Sequence, residues 1–324
     1  MRFEGKILKA VLYDRFGPPA VLELREVPEP VPRPGQVAVR VVAASVNPKD
    51  ALVRSGRFRR MTGSSFPKRV GSDFAGTVAA LGPGVGGIEA GDAVFGMLNG
   101  WAAGGCAEMV VAAAGELARK PESLSFIEAA ALPLVGQTAL QALRDLAGVT
   151  AGSRVCIHGA AGGVGTVAVQ VARALGAHVT ALCGAGSVDL VKGLGAHTVL
   201  DYRRVRPPSI EERFDCFFDV FGNQSFAALK HLLLPRGIYV TTLPTRSNIL
   251  AYLRTLFWPG RRARLVVVKS RRRDLETLAM WVEEGRLKPV LAQVLPLAEI
   301  RRAHELIETR GTHGKIVLSL DIPE

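Results

Sequence analysis

Cysteine is sparse in this chain, and none of its four cysteines, Cys106, Cys156, Cys183 and Cys216, lies within a few residues of another. That spacing excludes a C-x-x-C zinc or dithiol pair and disfavours a disulfide-stapled scaffold. The apolar company of Cys156 and Cys216 predicts buried, reduced strand thiols. No histidine occurs before His158, so the first half of the chain has no imidazole to offer a metal. No apolar run approaches the ~18–20 residues of a membrane span. The opening MRFEGKILKAVLYDRFG has no apolar stretch followed by a small-residue cleavage site, and it lacks the Ser/Arg-rich, acid-poor character of a transit peptide. The expectation is a cytoplasmic protein without a membrane span.

What is present is size, apolar content and positive charge. The 324 residues, 48% of them hydrophobic, predict two domains, each with its own core. Net charge is +12, and much of the excess is local, in RRAR (261–264) and KSRRR (269–273). Such a run reads either as a patch for nucleic acid or acidic lipid or as a solvated arginine-rich loop and helix start flanking the strand RLVVV. Aromatics for base stacking are scarce there, which favours the solvated loop; nucleic acid is not an expected partner.

The grammar of the chain changes near residue 130. Before it, short β-branched runs at 9–14, 21–27, 36–46, 76–85 and 91–98 are punctuated by glycine turns and by the proline-rich 28–35, which predicts a compact, largely antiparallel barrel. After it, strands at 154–158, 178–183, 198–202, 215–221, 238–243 and 264–269 alternate with helical segments, which calls for a parallel sheet covered on both faces. The spacing of Val164, Val167, Ala168, Val171, Ala172 and Leu175 gives the first of these helices one apolar stripe. Beyond about 270 come a helix at 274–285, the segment KPVLAQVLPL, a second helix and the strand KIVLSL.

The most specific local signal is VCIHGAAGGVGTVAVQVARALGA (155–177), glycines set between a strand and an amphipathic helix. Against the dinucleotide pattern G-x-G-x-x-G it offers Ala160, Gly162 and Gly165. Gly162 leaves room for a pyrophosphate, Gly165 permits close helix–strand packing, and the helix start around Gly163 and Val164 presents free N–H groups to phosphate. At the end of the next strand, Cys183-Gly184-Ala185-Gly186-Ser187 contains no acid to bind a ribose 2′-hydroxyl. The absence of a carboxylate permits a 2′-phosphate, with Ser187 as a hydrogen-bond donor and Lys192 and Arg203 as nearby cations, so NADPH is preferred to NADH.

Four segments, ASVNPKDALVRSG (44–56), FPKRVGSDFAGTVAALGPGV (66–85), AAALPLVGQTALQAL (129–143) and the AAGGVG turn, together with HGKIVLSL (313–320), resemble the medium-chain dehydrogenase/reductase superfamily, in its zinc-free quinone oxidoreductase (zeta-crystallin-like) branch. The resemblance runs end to end. It implies an α/β protein, a GroES-like β-barrel domain (1–131 and 271–324) interrupted by a Rossmann doubly wound parallel-sheet domain (132–270), with the nicotinamide between them. It implies that Asn47 lies near the nicotinamide ribose and the substrate, Thr138 by the nicotinamide, and Tyr202 at the adenosine 2′-phosphate. It also implies a homodimer or homotetramer.

Zinc enzymes of this superfamily use a Cys, the His of a GHE motif and a further Cys or acid; here the GHE position reads Gly71-Ser72-Asp73 and the barrel half holds only Cys106. No metal site is expected, and Asp73 is expected to serve a turn before the strand FAGTV. Without a Lewis acid, reduction of an already electrophilic quinone or enone is easier than alcohol oxidation. Tyrosine is missing from the positions after Asn-Pro, which read Leu52 and Phe58, leaving Lys49 and Asp50 as proton-donor candidates beside Asn47. His158 is expected to be packed rather than catalytic. Trp101, Phe95 and Leu98 are candidates for the acceptor pocket. An enoyl-thioester reductase and a non-catalytic, NADPH-bound RNA- or partner-binding protein are the alternatives.

Overall fold

The computed structural model describes residues 7–101, 103–309 and 311–320. They divide into two compact units. One takes the chain up to Leu134, Lys269–Glu283 and the chain from Pro289 on; the other takes Val135–Val268 and Glu284–Lys288. In chain order the first unit contributes strands β1 (Ile7–Tyr13), β2 (Glu23–Pro28), β3 (Gln36–Ser45), β4 (Lys68–Arg69), β5 (Asp73–Leu81), β6 (Ala93–Met97), β7 (Met109–Ala113) and β8 (Leu117–Arg119). The second contributes β9 (Arg154–His158), β10 (His178–Cys183), β11 (Thr198–Asp201), β12 (Phe214–Asp219), β13 (Leu233–Thr241) and β14 (Arg262–Leu265). The chain then returns to the first unit with β15 (Leu291–Pro296) and β16 (Lys315–Ser319).

The first unit is a GroES-like barrel. Its larger sheet runs β15-β16-β3-β5-β6-β8 with β7 also on β3, and β2-β1-β4 forms a smaller one. Every pair is antiparallel except β15 with β16. Alternation along β3 turns Val37, Val39 and Val41 into a core with Phe74, Val94 and Leu318. At Gly76 a Cβ would stand 1.9 Å from the Arg40 carbonyl oxygen, so β5 pairs with β3 there only as glycine.

The second unit is a Rossmann fold. Six parallel strands run β11-β10-β9-β12-β13-β14. Strand order reverses at β9, flanked by β10 and β12, so the ligand-binding crevice of such a sheet opens at the carboxyl ends of β9 and β12. The stripe residues Val167, Ala168, Val171 and Ala172 of the helix Gly163–Ala174 are buried.

Boundaries shift where sequence periodicity is weak. The last strand of this sheet is Arg262–Leu265 rather than 264–269, because register with Ile238–Thr241 runs out at Leu265. Helix Arg246–Arg254 has no counterpart in the sequence reading. The arginine run is largely engaged with its own fold. Arg264 donates to the carbonyl oxygens of Thr255, Leu256 and Ala263, Arg261 to that of Leu233, and Arg272 to Glu276 and to the carbonyl oxygens of Gly86 and Gly87. Among the described residues no helix is long and apolar enough to cross a membrane.

Candidate active site

In the Rossmann unit the turn after β9 is pinned to β10: the N–H groups of Gly159 and Ala160 both donate to the Leu182 carbonyl, at 3.1 and 3.0 Å. The left-handed residue is Gly159 (φ +85°), one position before Ala160, which is buried. Gly162 is the N-cap of the helix, and a Cβ there would meet only the Gly159 carbonyl oxygen at 3.6 Å, so the space before the helix is open. A Cβ on Gly165 would stand 2.1 Å from the same oxygen. The first intrahelical bond comes from Thr166 to Gly162. The N–H groups of Gly163, Val164 and Gly165 precede it and face the open end, a cradle for an anion.

His158 closes β9 and pairs through Nδ1 with Asp219 at the end of β12, 2.9 Å away. Asp219 also accepts from the backbone of Gly222 and Gln224 and from the Tyr239 hydroxyl, each at 2.9 Å. The crevice edge is thus tied together by one carboxylate. The sequence reading missed this pair; the short apolar runs RVCIH and DCFFD each end in a polar residue, but only the strand order β9-β12 brings them together.

At the end of β10, Ser187 is buried, whereas Lys192, Tyr202 and Arg203 are exposed. The Tyr202 hydroxyl lies 3.4 Å from where a Cβ of Gly184 would be. Asp201, in register with Cys183, is a carboxylate that the sequence reading passed over; it accepts from the Arg203 N–H at 3.0 Å. Thr138 is buried in the helix Pro133–Leu140.

In the barrel unit, Asn47, Lys49 and Asp50 come together at the start of the helix Pro48–Arg54, but they face different partners. The Asn47 amide donates to Asp73 Oδ2 at 2.9 Å and accepts from Lys315 Nζ at 2.6 Å. Asp73 also accepts from Ser45 Oγ (2.7 Å), from the Leu134 N–H (2.8 Å) and from Lys315 (3.4 Å). Every one of these side chains is buried. Asp73 therefore opens β5 as the acceptor of a closed network and does not serve a turn. Lys315 was legible only as part of a strand, although a lone lysine at the head of a buried strand requires a buried partner.

Asp50 accepts from the Asn47 N–H at 2.9 Å. Half-buried Lys49 donates to the Gly100 carbonyl (2.6 Å) and Ser72 Oγ (3.3 Å), and its Nζ lies 5.8 Å from the centre of the Trp101 ring. That ring packs on Phe58 with centroids 4.7 Å apart. Phe95 and Leu98 are core residues.

Burial pushes the Asp50 carboxyl from 3.8 up to about 6, against the pull of Lys49 and the Asn47 N–H. Burial also pushes Lys315 down, against Asp73 and Asp50. A carboxyl raised on folding adds stability that is present below about pH 4 and lost as pH rises through about 6. Asp50→Asn is therefore expected to be more stable than wild type above that range by about 1–3 kcal/mol, with the difference vanishing towards about pH 4. Urea denaturation of both proteins across that interval checks it. The comparison must be between the two, because His304, pushed down to about 3 by burial and then by Arg54, acts in the opposite sense in both.

The donor set does not fit a zinc ion. Asp73 is filled by four donors, Ser72 serves Lys49, and Asn47 is engaged at both amide atoms. Burial pushes the Cys106 thiol well up, and its Sγ lies so near Gly71 that a Cβ there would stand 2.5 Å away. Among the described residues no three His, Cys, Asp or Glu side chains gather as a metal would require. A dinucleotide does fit: the cradle at Gly162 and the free N–H groups behind it suit a pyrophosphate.

A GroES-like barrel joined to a Rossmann unit with an open phosphate cradle defines a nicotinamide-dependent oxidoreductase. Residues 33–122 match the family described as alcohol dehydrogenase GroES-like domain, and residues 194–318 the family described as zinc-binding dehydrogenase. The chain is 31% identical over 325 residues to the chloroplast envelope quinone oxidoreductase homolog of Arabidopsis thaliana, covering 97% of this chain and 99% of that one. It is 31% identical over 355 residues to the mitochondrial NAD(P)H oxidoreductase RTN4IP1 of Bos taurus, covering 97% and 89%. The solved quinone oxidoreductase of Coxiella burnetii superposes with a TM-score of 0.89 at 33% identity, over 97% of this chain and all of that one. The chain belongs to the medium-chain dehydrogenase/reductase superfamily and is quinone oxidoreductase-like.

Proposed function

We propose that this protein reduces a quinone or α,β-unsaturated carbonyl with NADPH and without zinc. The observation that carries this reading is the closed Asn47–Asp73–Lys315 network: where the zinc branch needs open ligands, these residues offer one another hydrogen bonds. When bound, the reduced nicotinamide supplies the hydride. The backbone from Ala160 to Gly165 holds the pyrophosphate, and Thr138 packs by the nicotinamide. Gly184 gives the adenosine ribose room against Tyr202, and Lys192, Arg203 and the Tyr202 hydroxyl attract its 2′-phosphate, with Ser187 shaping the turn beneath. Asn47 orients the acceptor and ribose side, held by Lys315 and Asp73.

Lys49 is the acid: its ammonium, half-buried above Trp101, donates to the acceptor oxygen and leaves its bond to Ser72 to do so. Asp50 fixes the backbone of Asn47 and, with its raised pKa, serves as the local proton reservoir. A quinone or enone is favoured over an enoyl thioester because the barrel segments hold one tyrosine, Tyr13, and it is not placed to act as the acid. Tyr13 is fully buried, and its phenol is pushed up to about 12, chiefly by burial.

Oxidation of NADPH and NADH with a panel of quinones, 2-alkenals and crotonyl-CoA tests the reading. Quinones or alkenals are expected to turn over, with NADPH favoured about tenfold or more, the effect of one good phosphate contact. Chelator dialysis should leave the rate unchanged. No turnover with any acceptor, or loss of rate on chelation, overturns it.

A further inference from the structure

Asn47, Lys49 and Asp50 stand at the start of the helix Pro48–Arg54, seven residues and about 10 Å long. Arg54 ends it and is fully buried, the largest side chain so enclosed among the described residues. Asn47, Asp50 and Arg54 recur at helical spacing and share the buried face. All three guanidinium nitrogens of Arg54 are used. Nη1 donates to the Gly17 carbonyl, Nε to His304 Nδ1 at 3.3 Å, and Nη2 pairs with Glu308. The Gly17 N–H in turn donates to the Arg54 carbonyl at 3.1 Å. His304 and Glu308 lie one turn apart on the helix Ile300–Thr309. The far end of the short helix is thus clamped by two other stretches of the barrel unit.

We propose that Arg54 is a positioning residue for the reduction: clamped by Gly17, His304 and Glu308, it fixes the helix Pro48–Arg54 and so sets where Asn47 and Lys49 stand. The clamp works partly against stability. Because Nδ1 of His304 accepts, its proton is on Nε2, which is buried without a partner. An unpaired buried N–H costs about 1–3 kcal/mol, and burial opposes the charge on Arg54. Apolar side chains of similar size would fill the same space without either penalty. What they lack is a planar fork that holds three partners in one geometry, and that geometry is passed along two helical turns to the reacting groups.

The inference rests on the proposed reduction for its effect on rate, so a second reading that needs no turnover accompanies the first. Arg54→Met with His304→Leu replaces the clamp by apolar packing and leaves Glu308, 40% exposed, to water. Urea denaturation of this double variant should show a stability equal to wild type or higher. Its NADPH affinity should be unchanged, since the phosphate cradle belongs to the Rossmann unit. Its kcat with a quinone should fall by about tenfold to a hundredfold, the effect of displacing a reacting group by about 1 Å. The Asp50 carboxyl reports the same loosening by carbon-13 NMR, its resonance assigned by loss in Asp50→Asn. Its midpoint should fall from about 6 towards 3.8 as water reaches it. Lys49, Asp73, Lys315 and the Tyr13 phenol are the titratable groups around Asp50. Loss of the Arg54 cation by itself can only raise that midpoint, so the direction separates loosening from lost charge. Arg54→Lys keeps a cation for Glu308 with one nitrogen in place of three. It should show both changes at smaller amplitude, and it stands in should the double variant not fold. A wild-type kcat in the folded double variant, or an Asp50 midpoint that stays or rises, overturns the inference. If wild type reduces no acceptor, the reduction falls, and the Asp50 midpoint alone decides whether Arg54 fixes the helix.

Discussion

Gly162→Val is expected to leave the protein folded and nearly blind to its cofactor, whereas Gly165→Ala should damage the fold itself. The two glycines lie three residues apart in one turn, yet a Cβ meets very different surroundings at each. At Gly162 the backbone is extended, a conformation any residue adopts, and the nearest atom is 3.6 Å away. A valine there costs about 1 kcal/mol as a poor N-cap. Its methyl groups stand where the pyrophosphate must approach, so affinity for NADPH should fall by about a hundredfold, close to 2.7 kcal/mol. At Gly165 a methyl collides with the Gly159 carbonyl oxygen at 2.1 Å and with the Ala160 backbone at 2.7 Å. Helix and strand must separate, at about 3 kcal/mol. Calorimetric titration with NADPH and thermal denaturation, run on both variants, separate the outcomes. Equal loss of stability in the two would refute the assignment of Gly162 to the ligand.

Lys315→Met is expected to cost about 3–5 kcal/mol, the usual consequence of stranding the partner of a buried ion pair. Asp73 would keep Ser45, Asn47 and the Leu134 N–H but lose its counter-charge, and the Asn47 carbonyl would lose a 2.6 Å donor. Adding Asp73→Asn removes the stranded charge, so the double variant should be more stable than Lys315→Met alone. Such a deficit from additivity marks a coupled pair. Denaturant melts of the four proteins measure it. A fully additive cycle would mean that the lysine and the aspartate do not act together, and that Asn47 is positioned by something else.

Much of this architecture was legible because it follows from periodicity. The short runs RVCIH and HVTALC are strands buried on both faces, and the helix that follows the first has one stripe. The change from strand-and-turn to alternating strand and helix marks where the Rossmann unit begins. The tight glycine turn between β9 and the helix Gly163–Ala174 was legible because glycines set between a strand and an amphipathic helix mark a close approach of backbone. The polar networks were not. Asp73 and Lys315 stand 242 positions apart, and His158 and Asp219 stand 61 apart; no local pattern couples such residues. Helix Arg246–Arg254 escaped because its leucines face water, so its apolar period does not mark a core.

The return of β16 to the barrel sets an order of events during synthesis. Val46 and Lys315 are separated by 269 positions, so at about 5–20 residues per second the ribosome needs tens of seconds between making the two. The Rossmann strands are contiguous and emerge in that interval, free to pair among themselves. Throughout it, β3 has an open edge where β16 will lie, and Asp73 waits without its counter-ion. The amino-terminal barrel strands are therefore the part of the nascent chain most exposed to mispairing and most dependent on chaperones, until the segment carrying Lys315 arrives.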